Sequence, residues 1–240
     1  MLTVEDFNSH WGSLTPRQRI SHLCQVERVT FSTSFGLEDQ YLSYLIADST
    51  IDIDIFTLDT GRIFSETYQL WRQTEDEYGI KIRGYYPERH DLQDYEEQYG
   101  INGFYGSVEG RQACCKIRKI IPLLNAIQGY DYWISGLRRA QSDNRKDLPF
   151  AEYDASNDII KLYPLADVSD AALERVIATH QIPVNPLHEK GYASIGCAPC
   201  TRAIKKGEHP RAGRWWWEQG AQECGLHFVR GKMVRSKDFA

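Results

Sequence analysis

An α/β protein, with a mostly parallel sheet flanked by helices, is predicted by three observations. Short β-branched and aromatic runs alternate with amphipathic stretches along the chain. One run, Ile51 to Leu58, is rich in isoleucine and ends in a polar turn. Glycine-containing polar turns, Ser34-Phe35-Gly36, Asp59-Thr60-Gly61-Arg62 and Gly136-Leu137-Arg138-Arg139, follow three of the runs. Those are the strand ends at which such sheets bind ligands.

The elements follow in order. Residues 3–26 read as a helix, with Val4, Phe7, Trp11 and Leu14 on one face. Val29 to Ser32 is a short buried strand that feeds Ser34-Phe35-Gly36 and a helix from Glu38 to Ala47. After the Ile51–Leu58 strand come a helix from Phe64 to Tyr78 and a strand from Lys81 to Tyr86. A helix is expected from Cys114 to Ile127, a strand from Asp131 to Gly136 and a fifth strand near Ile159–Tyr163. Ser169 is placed to cap a helix to His180, with Asp170 in its first turn. Residues 1–182 form the α/β domain in this reading, N-terminal helix included. Residues 183–240, rich in Gly, Pro, Trp and basic side chains, form an irregular C-terminal tail.

The chain has 240 residues, 42% hydrophobic and 25% charged, a composition suited to a globular protein with a full core. A net charge of -5 argues against nucleic acid as a partner. The basic clusters at Arg138-Arg139…Arg145-Lys146 and from Lys205 to Arg214 suit a small anionic ligand better. The N-terminus lacks the pattern of a signal peptide, and no apolar run reaches the ~18 residues of a membrane span. A cytoplasmic location without a membrane partner is therefore expected, and its thiols would stay reduced.

Four of the six cysteines fall into two tight pairs, Cys114-Cys115 and Cys197-x-x-Cys200. Buried free thiols are common, but they do not account for two close pairs. Zinc competes, because Cys-x-x-Cys is a frequent zinc half-site. Adjacent side chains diverge, however, and a cubane accepts them at two different irons more readily than one tetrahedral ion does. The spacing therefore favours a [4Fe-4S] cluster on Cys114, Cys115, Cys197 and Cys200. Cys224 stands alone in Glu223-Cys224-Gly225-Leu226-His227 and is a candidate nucleophile, provided that nearby cations raise its thiolate fraction. Cys24 and the scattered histidines His10, His22, His90 and His180 read as structural, and Trp215-Trp216-Trp217 as a packing anchor.

Together these motifs resemble the assimilatory sulfonucleotide reductases, the adenylyl-sulfate and phosphoadenylyl-sulfate reductase family. The resemblance is carried by Ser34-Phe35-Gly36-Leu37-Glu38-Asp39, Leu58-Asp59-Thr60-Gly61-Arg62, Cys114-Cys115, Gly136-Leu137-Arg138-Arg139-x-Gln141-Ser142, Gly196-Cys197-x-x-Cys200-Thr201 and Glu223-Cys224-Gly225-Leu226-His227. It implies an adenine-nucleotide α-hydrolase-like fold of the PP-loop type. Relatives of that fold carry Ser-Gly-Gly-x-Asp-Ser; here one of the two Gly and the final Ser are missing, as suits a site that holds a nucleotide without cleaving ATP. The paired cysteines place the chain with the cluster-containing branch, which mostly uses adenosine 5′-phosphosulfate (APS). The 3′-phosphorylated form (PAPS), or both, is the alternative substrate.

The resemblance further implies that Cys224 attacks the sulfur of the substrate and that thioredoxin releases sulfite. Ser34, Gly36, Leu58, Asp59 and Gly61 would line the adenosine and ribose. Gly136, Arg138, Arg139 and Arg145 would shape the nucleotide loop, with Lys119, Arg211, Arg214 and His227 near the phosphosulfate. A homo-oligomer is compatible with the chain, which does not fix the oligomeric state. Two readings from other classes compete: an RNA-thiolating PP-loop enzyme and a non-catalytic iron–sulfur module.

Overall fold

A computed structural model describes residues 2–49 and 51–218, and the backbone of a short antiparallel pair, Phe228–Val229 with Lys232–Met233. The chain divides into two compact units. One comprises Met1–Thr57, Thr67–Arg83 and Gly129–Asn185; the other comprises Leu58–Glu66, Gly84–Gln128 and Pro186–Ala240.

A six-stranded sheet runs in the order β3-β2-β1-β4-β6-β5. Its strands are β1 (Val29–Ser32), β2 (Asp54–Leu58), β3 (Ile82–Tyr85), β4 (Tyr132–Ile134), β5 (Ala151–Asp154) and β6 (Ile159–Leu162). β1 pairs in parallel with β2 and β4, and β4 with β6; β5 alone of these pairs is antiparallel, against β6. The mostly parallel α/β architecture is thus as the sequence predicts. The central strands are buried at alternate and adjacent positions alike, as parallel strands covered on both faces must be.

Eight α-helices accompany the strands among the described residues: α1 (Val4–His10), α2 (Pro16–His22), α3 (Leu37–Ala47), α4 (Ser65–Tyr78), α5 (Arg89–Tyr99), α6 (Val108–Cys115), α7 (Ile121–Ile127) and α8 (Asp170–His180). None is long and apolar enough to cross a membrane. The single N-terminal helix expected over 3–26 is two helices. Thr15 caps α2 in a capping box with Gln18, and Pro16 opens its first turn, so the chain must leave α1 beforehand. The helix expected from Cys114 starts earlier, at Val108 after the Ser107 cap, and passes through a π turn at Lys116–Ile120. Pro122 follows directly. Its ring has no N–H and would crowd the Arg118 carbonyl in a regular α-helix, which the wider turn relieves.

The first unit is built on a core containing Phe31, Leu42, Ile134 and Leu162, with Phe7, Trp11 and Tyr132 in edge-to-face contact beside them. Each such side chain contributes roughly 1.5–3 kcal/mol on burial. Arg19 is buried with them because every donor face has an acceptor: Asp167 at 2.5 and 2.7 Å, the Trp11 carbonyl at 2.9 Å and the Pro164 carbonyl at 2.8 Å. Its guanidinium also covers the Phe150 ring. Arg19→Ala leaves three acceptors stranded and is expected to lower the urea-unfolding free energy by about 3 kcal/mol.

Candidate active site

In the second unit, Cys114 and Cys115 end α6, and Cys197 and Cys200 flank a single 3₁₀ turn at Ala198–Cys200. All four line one small cavity, with Arg62, Arg111, Arg118 and Lys119 also in its wall. Two backbone links hold the Cys-x-x-Cys half to the Asp59–Arg62 turn: the Ala198 amide donates to the Arg62 carbonyl at 2.8 Å, and Ile63 bridges Cys197. Gly61, at φ 67°, and its amide bond to Asp59 Oδ1 (2.8 Å) make that turn possible. Thr60 then faces inward, its Oγ1 3.3 Å from Cys197 Sγ, while its carbonyl accepts from Arg118 Nη1 at 2.7 Å.

The thiols do not behave alike. Burial and the neighbouring Cys197, Cys115 and Cys114 push Cys200 up to about 12. Burial likewise raises Cys114, against the pull of Arg118. Cys197 is lowered, because Lys119, Thr60, Arg214 and Arg118 together outweigh its burial. Burial and neighbouring sulfur thus oppose ionisation of Cys114 and Cys200, whereas the cations nearby favour it at Cys197.

Among the described residues no group of three or more His, Cys, Asp or Glu is arranged to hold a metal ion. The chemistry of the set fits a larger sulfur-bridged cluster. Nε of Arg118 and of Arg214, and the indole N–H groups of Trp215 and Trp217, are buried without a hydrogen-bond partner among the described residues. Anionic sulfur would supply acceptors for such donors. These cysteines could therefore hold a cluster.

In the first unit the turn after β1 is held by a carboxylate. Ser34 donates to Asp39 Oδ2 from both its amide and its hydroxyl, each at 2.7 Å. Phe35 is left-handed at φ 60° and buried, stacked on Trp71 with ring centroids 5.8 Å apart. Gly36 caps α3 and gives its first amides no side-chain bond. Gly136 lies so close to this turn that a Cβ there would sit 2.5 Å from Asp39 Oδ1.

The basic residues predicted to contact substrate separate in role. Arg138 is buried, donating to Glu38 at 2.7 and 3.0 Å and to the Val168 carbonyl at 2.9 Å. Arg139 donates to the Leu148 carbonyl and covers Phe150, and Arg145 pairs with Gln141. Arg214 is buried over Gly196, where a Cβ would meet its Nη2 at 2.3 Å, and reaches Ser194; Arg211 is half-buried. Cys224 and His227 lie outside the described residues. Leu58 closes β2, and the Asp59 amide donates to the Tyr85 carbonyl. Four residues at the two sites were given no role in the sequence reading: Asp39, Thr60, Arg62 and Arg111; Arg118, with Lys116 and Lys119, was expected to offset the negative charge of a cluster. For Arg111 a signal existed, since it stands four residues along a helix from Cys115.

Residues 28–203 match the family model described as the phosphoadenosine phosphosulfate reductase domain. The chain belongs to that family. An adenosine 5′-phosphosulfate reductase of Rhizobium meliloti is 52% identical over 92% of this chain and 84% of its own length. The enzyme of that name from Allochromatium vinosum is 49% identical over 87% of this chain and 82% of its own. Among solved structures, phosphoadenylyl-sulfate reductase from Candida auris superposes with a TM-score of 0.71 at 23% identity, covering 83% of this chain and 97% of that one. Yeast FAD synthetase is similar at a TM-score of 0.53 and 14% identity, over 85% and 69%. Both likenesses concern the fold, a mostly parallel sheet flanked by helices as the sequence predicts.

Burial pushes the Asp39 carboxyl up to about 6, with Glu38 adding to the rise and the Ser34 bonds opposing it. The folded chain therefore keeps this proton between about pH 4 and 6, where the unfolded chain has released it, and stability falls as pH rises through that window. Asp39→Asn keeps an acceptor for Ser34 but does not titrate. Wild type is expected to lose about 2–3 kcal/mol relative to this variant across the window, measured by urea unfolding at each pH.

Proposed function

We propose that this chain reduces adenosine 5′-phosphosulfate to sulfite and AMP, using Cys224 as nucleophile, a [4Fe-4S] cluster on Cys114, Cys115, Cys197 and Cys200, and thioredoxin as reductant. The observation that carries this reading is the meeting of both cysteine pairs at one cation-walled cavity, in a chain about half identical to reductases named for that nucleotide.

The reaction balances as two transfers. The Cys224 thiolate attacks the substrate sulfur; the bond from sulfur to the bridging oxygen breaks, and AMP leaves with its electron pair. The enzyme then carries S-sulfocysteine. A thioredoxin thiolate attacks Cys224 Sγ, and sulfite departs with the sulfur–sulfur pair. The second thioredoxin thiol resolves the mixed disulfide, which restores Cys224 and leaves thioredoxin oxidised.

An anion attacking an anionic sulfonate needs cationic support, and Lys119, Arg211, Arg214 and His227 supply it in this reading. Ser34, the α3 amides behind Gly36, Leu58, Asp59 and Gly61 hold the nucleoside. Gly136, Arg138, Arg139 and Arg145 act mainly by fixing the loops that carry those contacts, since Arg138 already spends its donors on Glu38 and Val168. The cluster supplies charge and organisation, because thioredoxin brings both electrons. A reducing compartment such as the cytoplasm keeps these thiols available.

Mixing reductant-free, anaerobically purified protein with APS is expected to add about one SO₃ unit to Cys224 in intact-mass spectra, and thioredoxin to remove it. Cys224→Ser should bind the nucleotide and gain nothing. A faster gain from PAPS would reassign the substrate, and no gain from either nucleotide would sink the proposal. Cys114→Ser should lose the iron and most of the activity.

A further inference from the structure

Arg111 has no part in the chemistry above, yet it is among the most constrained charges of the second unit. It lies on α6 one turn before Cys115 and is 7% exposed. Its Nε and Nη2 donate to the two carboxylate oxygens of Glu218 at 2.5 and 3.0 Å. Its guanidinium sits 4.6 Å from the centre of the Trp215 ring, and it lines the same cavity as Cys115. Glu218 is itself largely buried, with 14% of its side chain exposed.

The turn that Arg111 grips is strained. Trp215 is buried at φ 44°, a left-handed conformation that bulky residues rarely adopt and that surrounding contacts must enforce. Two backbone bonds contribute: the Trp215 amide donates to the Cys200 carbonyl at 3.3 Å, and the Glu218 amide to the Trp215 carbonyl at 2.9 Å. The turn thus leans on one cysteine pair through the backbone and on the other through Arg111.

We propose that Arg111 is a positioning residue of the cysteine site, which couples the Cys115 sulfur to the Trp215–Glu218 turn so that loading the four thiolates and ordering that turn favour each other. This rests on the cluster reading given above. A Cys115 sulfur fixed by a shared bound group gives Arg111 a partner held in one place, whereas an unligated side chain can turn away. Filling the site therefore tightens Arg111, and Arg111 holds Glu218 and Trp215. By linkage, a turn already in place must strengthen retention of the bound group by the same factor.

The test uses the full-length chain, purified anaerobically, as wild type, Glu218→Gln and Arg111→Lys. Iron per chain, bleaching of visible absorption under a chelator, and hydrogen exchange over residues 211–218 are followed with and without iron. Removing iron from wild type should speed exchange at 215–218 about tenfold, within the usual range of couplings between sites. Glu218→Gln with iron bound should exchange at the stripped rate and lose iron about tenfold faster than wild type. Arg111→Lys, which keeps the charge without the two-pronged fork, should follow Glu218→Gln. Variants that match wild type in both iron loss and exchange overturn the coupling while leaving the cluster intact. A wild-type chain that binds no iron overturns the cluster reading and the coupling together.

Discussion

Four thiols around one cavity set the terms for the second unit, because burial and neighbouring sulfur make ionisation of Cys114 and Cys200 harder. The surrounding architecture answers that repulsion. The π turn and Pro122 carry Arg118 and Lys119 along the same helix as Cys114 and Cys115. The glycine turn at Gly61 brings Thr60 beside Cys197 and gives Arg118 a carbonyl to hold. Arg62 lies over Phe104, with its end fixed by the Ile101 carbonyl. The cations of this cavity wall are held in place by the fold rather than left to swing from the surface, so little ordering entropy opposes their effect on a bound anion.

The first unit solves a different problem with acidic groups. Its loops are fixed without a glycine-rich sequence. Asp39 ties down Ser34, Glu38 ties down Arg138, and Gly136 permits the close approach of the two loops because it has no side chain. Phe35 takes a left-handed conformation that glycine adopts more readily. The penalty of roughly 1–2 kcal/mol is offset by burying its ring against Trp71.

Much of this was legible in the sequence where one residue type has few alternative uses. Two close cysteine pairs announce a shared site, and the buried strands announce the parallel sheet, because both signals are local. The α5 helix was missed because only Tyr95 of its eleven residues is buried, which leaves no apolar period to read. The edge strand β5, Ala-Glu-Tyr-Asp, is too polar to stand out. The N-terminal break at Thr15-Pro16 was visible in principle, but the apolar face of Val4, Phe7, Trp11 and Leu14 pointed to one continuous helix. Charge roles were the least legible. Arg138 and Arg139 look like free anion-binding side chains in sequence, and only tertiary structure brings Glu38, Val168 and Leu148 to them.

The π turn after Cys115 carries an evolutionary consequence. Such a turn is what one extra residue inside an established helix looks like, and it lets the two flanking segments keep separate facings. Upstream, the helix presents its cysteine pair to the cavity; downstream, Leu123, Ala126 and Ile127 are buried. Excising a single residue from 116–120 would regularise the helix, yet it would swing one facing by about 100° relative to the other. Point substitutions can therefore drift through this segment, whereas its length is locked to the geometry of the cysteine pair.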